Sequence, residues 1–471
     1  GSYGWQSYSL MAGNGDEQQG ALAGARYSRS KGWPFSATED VGPPPMTFDT
    51  SLWGEDNVGL FSMYRRGGFT ANVFLARASE ETLGPDGQWP SERLKDPRVF
   101  CDLGYLLEVD DSQSFETHFT YNYDGVEFPG VISTPTNEIP FFAPSHGFLL
   151  EETYRRELTD GLDLMIGALA DFHVGEAVMG PFQPIPEFTE IWYGVYMQME
   201  YQVNEWLKLV GGMQGNMPGS IPGGIVPRAG VIASLDENWT AKFLYGQAFR
   251  SPYQIERSIV VPPILFGNPD LVPETIQTFD AQLAYHTDDF RFATTYFHSD
   301  FFDIITREGF PQTYVNQGRM KFDGVEFENE WEISERWRTM SSVTYQDNVR
   351  DGVHNTTGVP NWMAKIGLAY YDESSGWNVG VFDTYFSDPH VPATAVVVNP
   401  DPQPMHLVSI NTTLDLNRRL RLHTRTAMRL QFLIQNLFDE EIDHVEFERE
   451  LINSLPAGPG RTFYGGFTMA Y

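Results

Sequence analysis

The stretch "IWYGVYMQMEYQV" (Ile191–Val203) alternates between two kinds of side chain with a period of two residues. Its odd-numbered positions, from Ile191 through Val195 to Val203, are all apolar or aromatic, whereas Gln198 and Glu200 lie at even-numbered positions. Successive side chains of a β-strand point to opposite faces. The segment therefore predicts a strand that carries one apolar face and one more polar face.

The same alternation recurs along the chain, and helical periodicity is almost absent. Comparable segments start at Phe115, Trp239, Phe290, Trp362 and Leu430. No run of apolar residues approaches the ~18 that a membrane-spanning helix requires. Any membrane-spanning role would therefore have to use strands, which satisfy their backbone hydrogen bonds only in a closed barrel.

The connections between these segments are sorted into short and long ones. Tight turns such as Gly67–Gly68 alternate with long connections that are rich in Pro, Gly and Asp. The long connections include Ser79–Pro97, Asp124–Ser145, Val174–Pro186, Arg250–Ile276 and Ser387–Pro404. A soluble β-sandwich or propeller gives no reason for this sorting, although its strands would alternate as well. A transmembrane barrel does, because one rim carries tight turns and the other carries long loops.

We therefore predict an all-β chain, a transmembrane antiparallel β-barrel with short periplasmic turns and long extracellular loops. One strand and one connection together take about 21 residues, which gives roughly 22 strands. A direct count from Trp5 onward gives about 21, so that a first strand is missing or partial if the number is even. Residues 1–471 form a single barrel domain in this interpretation.

Composition excludes several classes of function. The chain has 31 Lys and Arg against 63 Asp and Glu, a net charge of −32, which disfavours nucleic acid as a partner. Its only cysteine, Cys101, is in phase with Leu103, which favours a lipid-side or core position over a nucleophile. The sequence contains no Gly-x-Ser-x-Gly, His-Glu-x-x-His or phosphate-loop motif. We expect neither an enzyme, nor a cofactor, nor a metal site.

Three segments carry a resemblance to a known family. "YGQAFRSP" (Tyr245–Pro252) followed by "GNPDLVPET" (Gly267–Thr275) resembles the mid-barrel signature of TonB-dependent outer-membrane receptors. "LQFLIQNLFDEEI" (Leu430–Ile442) and "GPGRTFYGGFTMAY" (Gly458–Tyr471) look like the last two strands of that family. "SYGWQSYSLMAG" (Ser2–Gly13) is similar to the entry into its barrel.

The resemblance implies a 22-strand barrel in the bacterial outer membrane that takes up a scarce nutrient, with energy supplied through TonB. It also implies an N-terminal plug domain that fills the lumen and bears the TonB box. No plug or TonB box is recognisable from Gly1 onward. We expect the plug to come from upstream residues or from a separate chain, with a barrel that works without one as the third alternative. Outer-membrane lipid, lipopolysaccharide and other envelope proteins would surround the barrel.

The signature residues read as structural, because turn chemistry explains each of them without a ligand. They are Arg250, Pro252, Asn268, Pro269, Leu271, Pro273 and Glu274 in the middle, and Asn436, Leu437, Phe438, Asp439, Gly460, Arg461 and Tyr471 at the end. Arg461 is expected to form a salt bridge at the rim or in the lumen. Asp323 and then Glu326, Glu328 and Glu330 are placed in the register opposite the apolar side chains, and the three glutamates are assigned to the polar lumen face, where Arg336, Arg338 or a plug would meet them.

Ligand contacts are expected from the outer loops, which would present aromatic, cationic and histidine side chains. The candidates are Trp89, His146, Arg307, Phe310, Tyr314, Arg350, His354 and His390. The absence of histidine between Tyr253 and Gly267 disfavours haem, and scattered loop aspartates disfavour a calcium-dependent cobalamin site. Aromatic and arginine side chains suit an anionic, aromatic ferric chelate of the siderophore type.

Three hypotheses for function follow from these observations. The first is the barrel of a TonB-dependent transporter, most simply one for a ferric siderophore-type chelate. The second is a receptor-derived structural or interaction barrel in an envelope complex, with its plug lost, replaced or supplied by another chain. The third is a passive diffusion porin, which would show a large, steady conductance.

Overall fold

The computed structural model describes residues 1–39, 46–52, 54–82, 92–134, 137–262, 265–391, 395–446, 452–456 and 458–471. A 3₁₀ turn at Ser2–Gly4 precedes β1 (Gln6–Gly15), β2 (Gln19–Ser30), β3 (Pro34–Glu39), β4 (Met46–Leu52), β5 (Glu55–Arg66), β6 (Phe69–Thr82), β7 (Glu92–Asp110), β8 (Gln113–Thr134), β9 (Asn137–Thr159), β10 (Leu162–Met179), β11 (Phe182–Asn204), β12 (Leu207–Pro218), β13 (Gly224–Ser234) and β14 (Trp239–Arg250).

The second half of the chain adds two short helices. Helix α1 (Gln254–Ser258) is followed by β15 (Val260–Val261), β16 (Leu265–Phe266), β17 (Glu274–His286), β18 (Phe290–Phe302), β19 (Ile305–Glu308), β20 (Gln312–Asn316), β21 (Arg319–Ser334), β22 (Trp337–Arg350), β23 (Val353–His354), β24 (Trp362–Asp372), β25 (Trp377–Phe386) and β26 (Met405–Asp415). Helix α2 (Leu416–Leu420) then precedes β27 (Ala427–Gln435), β28 (Asp443–Val445), β29 (Ser454–Pro456) and β30 (Thr462–Ala470). Among the described residues, no helix is long and apolar enough to cross a membrane.

The wall is one 22-stranded antiparallel sheet in which each strand pairs with the next wall strand along the chain. One member, β23, has two residues and pairs only with the end of β22, and the others form a continuous meander. The strands β3–β4, β15–β16, β19–β20 and β28–β29 lie in connections on the loop side. The predicted all-β antiparallel barrel of about 22 strands is confirmed.

Alternation gives this wall its two faces. Where β10 pairs with β11, Ile166 lies opposite Met197 and Ala168 lies opposite Val195, so apolar side chains share one face across strands. Cys101 lies opposite Val73 and therefore belongs to the same apolar face, as its phase predicted. We call this the outward face, because the lumen face of such a barrel is polar.

One residue of the predicted carboxylate row is on the wrong face. Glu326, Glu328 and Glu330 share the lumen face of β21, whereas Asp323 has the register of Val325 and points outward. There the Asp323 carboxylate accepts the Tyr296 hydroxyl at 2.8 Å and meets the Nδ1 of His298 at 2.7 Å. The assignment failed because an odd-numbered residue was grouped with even-numbered ones.

Strands extend into three connections that were predicted to be long loops. Within Val174–Pro186, β10 runs to Met179 and β11 starts at Phe182. Register shifts on both sides of Ala177 accommodate the prolines of β11 at bulges, where a ladder hydrogen bond is not required. In the same way β8 and β9 extend deep into Asp124–Ser145, and β6 and β7 extend into Ser79–Pro97.

The first and last wall strands meet at their loop-side ends. The Phe463 amide donates to the Ser2 hydroxyl at 2.8 Å, and the rings of Trp5 and Tyr464 meet edge to face at 5.2 Å. Farther along, the described residues of β1 and β30 form no ladder. Between them lies a cavity of about 1130 Å³ lined by side chains that include Leu10 and Met469.

Neighbouring residues of β11 provide a test of the two faces. We expect Met197→Arg, on the outward face, to lower the free energy of unfolding in lipid bilayers by about 2–4 kcal/mol, because the cation would be placed in hydrocarbon. The adjacent Gln198→Arg, on the lumen face beside Glu200, should change it by less than about 1 kcal/mol. Denaturant titration in phospholipid vesicles measures both, and equal losses would contradict the assigned faces.

Candidate functional site

The signature arginine at the end of β14 ties three segments together. The Nε of Arg250 donates to the Glu274 carboxylate, and its two terminal nitrogens donate to both oxygens of Glu256 at 2.9 and 3.0 Å. The remaining acceptors are used as well, because Glu256 also accepts the Tyr253 amide and Glu274 accepts the Ile305 amide. This Arg250 clamp fixes the start of β17 and the helix α1. It explains why the connection between them, although rich in proline and glycine, follows one defined path.

The stretch Gly267–Thr275 is joined to the next loop along the chain. The Asn268 side chain donates to the Tyr314 carbonyl at 2.9 Å, and the Asn316 side chain bridges to both backbone groups of Val272. β16 also pairs in parallel with β20, so the two loops share one small sheet. Leu271 is buried at this junction. The loop segments on either side of β17 and β18 therefore form a single body.

A second arginine fastens α1 to neighbouring wall strands. The Arg257 guanidinium donates to the Glu190 carboxylate at 2.7 Å and to the Ser220 hydroxyl at 2.8 Å. Both charged side chains are only 11% exposed. In a site with so little water, the pair is held by matched charges and hydrogen bonds. It links the loop after β14 to β11 and to the turn after β12.

A third group of contacts, which we call the asparagine brace, joins loops that are distant in sequence. The Asn399 side chain bonds to both backbone groups of Thr38 at 2.8 Å and to the Ser454 carbonyl. The Asn453 side chain accepts the amides of Val398 and Asn399 and donates to the Asn399 carbonyl. Asn453 is 0% exposed. The loops before β5, β26 and β30 are thereby connected.

The signature residues near the chain end close the penultimate wall strand. Asn436, which is in the left-handed region at φ 49°, exchanges side-chain hydrogen bonds with the backbone of Glu440. The Asp439 carboxylate accepts the Arg461 amide at 2.6 Å. A Cβ at Gly460 would lie 2.4 Å from Oδ1 of Asp439, so a larger residue there would displace this carboxylate. The Arg461 side chain donates to the Leu437 carbonyl, and no described residue forms the expected salt bridge with it.

The candidate ligand residues fall into separate groups. Arg307 and Tyr314 lie opposite each other in the β19–β20 hairpin, and Phe310 at its tip is 88% exposed. His390 lies in the loop after β25, where its Nε2 meets the Asn361 side-chain oxygen at 2.9 Å. Trp89 lies outside the described residues.

Three candidates belong to wall strands and not to loops, which corrects the prediction. Arg350 ends β22, and His354 belongs to β23, where it meets the Asp347 carboxylate at 2.9 Å. His146 lies within β9 in the register of Phe148, and the Tyr121 hydroxyl is 3.0 Å from its Nδ1. Prolines near His146 suggested a loop, but the ladder between β8 and β9 continues past them.

The lumen wall carries connected polar side chains. On β7 and β8, the Asp102 carboxylate meets the Nδ1 of His118 at 3.0 Å and accepts the Thr120 hydroxyl at 3.0 Å. His118 in turn meets Glu116, which pairs with Arg155 of β9. On β21, Glu330 pairs with Arg338, as the sequence predicted, and with Arg291 at 4.0 Å. Among the described residues, no group of three or more His, Cys, Asp or Glu side chains could hold a metal ion.

One carboxyl group in the loops has a shifted pKa. Burial raises the pKa of Asp443 in β28, and the nearby Glu441 charge raises it further, while His444 partly opposes both effects. A carboxyl group whose pKa is raised by folding favours the folded state most when it is protonated. The β28–β29 hairpin therefore loses stability as the pH rises through the pKa of Asp443.

Comparison of the sequence with protein families gives a match over nearly the whole chain. The family described as TonB dependent receptor-like, beta-barrel, matches residues 4–437. The chain belongs to this family. Comparison with curated proteins gives no match.

Solved structures with the same fold include several transporters. The ferric enterobactin receptor PfeA of Pseudomonas aeruginosa is 14% identical, with a TM-score of 0.78 over 98% of this chain and 77% of that chain. The FrpB iron transporter of Neisseria meningitidis is 12% identical, with a TM-score of 0.76 over 99% and 79%. The copper transporter OprC is 15% identical, with a TM-score of 0.73 over 99% and 78%. At these identities the likeness shows the fold of the receptor barrel alone.

Sequence reasoning missed most residues that organise the loops of the receptor barrel. Glu190 and Arg257 are 67 positions apart, and Asn399 and Asn453 are 54 positions apart. Neither pair leaves a local pattern. Glu256 accepts the amide of Tyr253, three positions before it, but Tyr253 is not the Ser or Thr that marks a capping box in a sequence, so this contact was not recognisable either.

Removing the Arg250 clamp should loosen the loops around it. We expect Arg250→Gln to lower stability by about 1–3 kcal/mol, because Glu256 and Glu274 would be left close together without their cation. Hydrogen exchange at the amides of Tyr253 and Ile305, which the two carboxylates accept, should accelerate. The control Arg98→Gln breaks a more exposed pair with Asp96 and should cost less than about 1 kcal/mol. Unchanged exchange in Arg250→Gln would show that the clamp does not order these loops.

Removing the asparagine brace should release a different set of amides. In Asn453→Ala the half-buried amides of Val398 and Asn399 lose their acceptor, at a cost of about 1–3 kcal/mol. We expect faster hydrogen exchange at these two amides and also at Thr38, which lies in another loop. Gln403→Ala, a change at an exposed residue of the same loop as Asn399, is the control and should leave all three amides protected.

Proposed function

We propose that this receptor barrel lies in the bacterial outer membrane and takes up a scarce nutrient in a TonB-dependent manner, with a ferric siderophore-type chelate as its cargo. Membership of the TonB-dependent receptor family supports the transport role. The solved structures with this fold include the ferric enterobactin receptor PfeA and the siderophore receptor PirA, which is consistent with such a cargo. The copper transporter OprC has the same fold, so the fold by itself does not choose between these cargoes.

The observation that carries the choice of cargo is the β19–β20 hairpin. It presents the exposed ring of Phe310 at its tip, with the cation of Arg307 on the preceding strand and Tyr314 opposite it. An aromatic, anionic iron chelate offers rings for stacking and negative charge for a guanidinium. The contacts between Asn268 and Tyr314 hold this hairpin against the loop of the Arg250 clamp. The net charge of −32 makes such local cations necessary for an anionic cargo.

A plug domain in the lumen completes the proposal. The polar ladder of Asp102, His118, Glu116 and Arg155 gives a folded domain fixed charges and hydrogen-bonding groups to contact. In this family the plug also carries the contact to TonB. We propose that the plug is supplied by upstream residues or by a separate chain.

Uptake measurements test the proposal. Cells that produce the protein should accumulate radiolabelled ferric tris-catecholate, and the accumulation should stop when TonB is deleted. Copper(II) and haem serve as parallel cargoes. Uptake that persists without TonB would exclude active transport, and a large, steady conductance in planar bilayers would indicate a passive pore. No uptake of any cargo, together with a lumen occupied by another envelope protein, would favour the structural role.

The hairpin can be tested separately. We expect Arg307→Gln combined with Phe310→Ala to raise the apparent KM for ferric tris-catecholate about tenfold or more, because a charged hydrogen bond and an aromatic contact are lost. Phe438→Ala, which removes another exposed aromatic ring on the loop side, is the matched control and should have little effect. A normal KM in the double variant would show that the cargo binds elsewhere.

A further inference from the structure

The outward face of β2, β5, β6 and β7 ends on the loop side in a group of cations. Arg29 and Arg77 are exposed and have the register of the apolar outward side chains. Val58 of β5 lies between Arg77 of β6 and Tyr27 of β2, and Arg29 follows Tyr27 by two residues on the same face. Lys95 of β7 has the same register. We call these three residues the cationic rim.

Arg77 of the cationic rim lies immediately above an apolar band. On β6 the outward residues below Arg77 are Leu75, Val73, Ala71 and Phe69. With a rise of about 3.3 Å per residue and a tilt of about 40°, Arg77 lies about 20 Å above Phe69 along the barrel axis. This distance places the guanidinium at the far edge of the ~25 Å apolar band, where lipid headgroups begin.

The positive charges of the cationic rim are not neutralised by ion pairs with described residues. No described residue forms an ion pair with Arg29, Arg77 or Lys95, and the Nε of Arg29 donates to the neutral side-chain oxygen of Gln6 at 3.2 Å. Two carboxylates face the group from neighbouring strands: Asp56 lies opposite Arg29 and accepts the Tyr27 hydroxyl at 3.0 Å, and Glu127 lies opposite Lys95. Three cations therefore face two carboxylates in a chain whose net charge is −32.

On the outward face of β21, by contrast, the cations are neutralised by neighbouring carboxylates. Arg319 of β21 donates to the Asp300 carboxylate at 2.8 and 3.1 Å and lies over the Phe302 ring. Its neighbour Lys321 has the same register, and Asp323 follows. There the carboxylates match or outnumber the cations, so this sector has no charge left for an anionic headgroup.

We propose that the cationic rim binds the phosphorylated headgroup of a lipid in the leaflet around the loop end of the barrel. Arg29 and Arg77 contact the phosphate groups, Lys95 adds charge, and the acyl chains lie against the apolar band below. An arginine guanidinium matches phosphate oxygens in a two-pronged geometry. Cations toward the loop side and apolar side chains below them fit a phosphoglycolipid of the lipid A class. The proposal rests on the membrane orientation given above but not on the identity of the cargo.

Lipid titration of the full chain in detergent, followed by native mass spectrometry, tests the proposal without cargo or TonB. We expect Arg29→Gln combined with Arg77→Gln to weaken binding of diphosphorylated lipid A about thirtyfold, from the contribution of two cations near a phosphate-bearing surface. Binding of phosphatidylcholine should not change. The matched control, Arg319→Gln with Lys321→Gln, should change lipid A binding less than about threefold.

Each remaining outcome counts against the proposal. Equal binding of lipid A by the double variant would remove the cationic rim as the site. An equal loss for phosphatidylcholine would show that acyl contacts alone are measured, and an equal loss in the control would show a general charge effect. Heat-dependent gel mobility checks that each variant is folded, and Arg77→Gln alone should still weaken binding if the double variant is not. Because ferric uptake is measured separately, failure of either proposal leaves the other intact.

Discussion

The backbone hydrogen bonds of the wall constrain everything else in this barrel. In hydrocarbon an unpaired N–H or C=O costs several kcal/mol, which favours pairing between neighbouring wall strands, and among the described residues the junction of β1 and β30 is the exception. Pairing fixes the register, and the register fixes which side chains face outward and which face the lumen. The alternation in Ile191–Val203, the outward position of Cys101 and the lumen position of Glu330 are consequences of the same ladder.

Beyond the ladder, the loops depend on side chains for their order. The Arg250 clamp, the pair of Arg257 and Glu190, and the asparagine brace each satisfy backbone or charged groups that are at least partly buried. Buried polar groups are costly unless they are paired, so these contacts must form together with the loop conformation. The loops around the β19–β20 hairpin are therefore held in place before any cargo arrives.

The sequence was sufficient for the wall because the signal is local and repeated. A period of two identifies a strand wherever one face meets lipid and the other meets water. The sequence was insufficient where prolines did not end a strand. Pro184 and Pro186 lie at bulges of β11, and whether a proline nitrogen faces a hydrogen-bonding partner on the neighbouring strand depends on the register. The loop contacts escaped for another reason. Asn453 contacts Asn399 only because the fold brings two loops that are distant in sequence to the same place, and no residue spacing in the chain indicates this contact.

The asparagine brace also bears on how this surface can change over generations. Loop tips exposed to solvent tolerate substitutions and insertions, since little depends on their conformation. Asn399 and Asn453 are different, because each holds backbone atoms of a loop other than its own. Selection on cargo binding can thus rewrite the tips freely, whereas a change at either asparagine alters several loops at once. Diversity in relatives should accordingly accumulate at the tips, while the anchoring positions persist as a fixed frame.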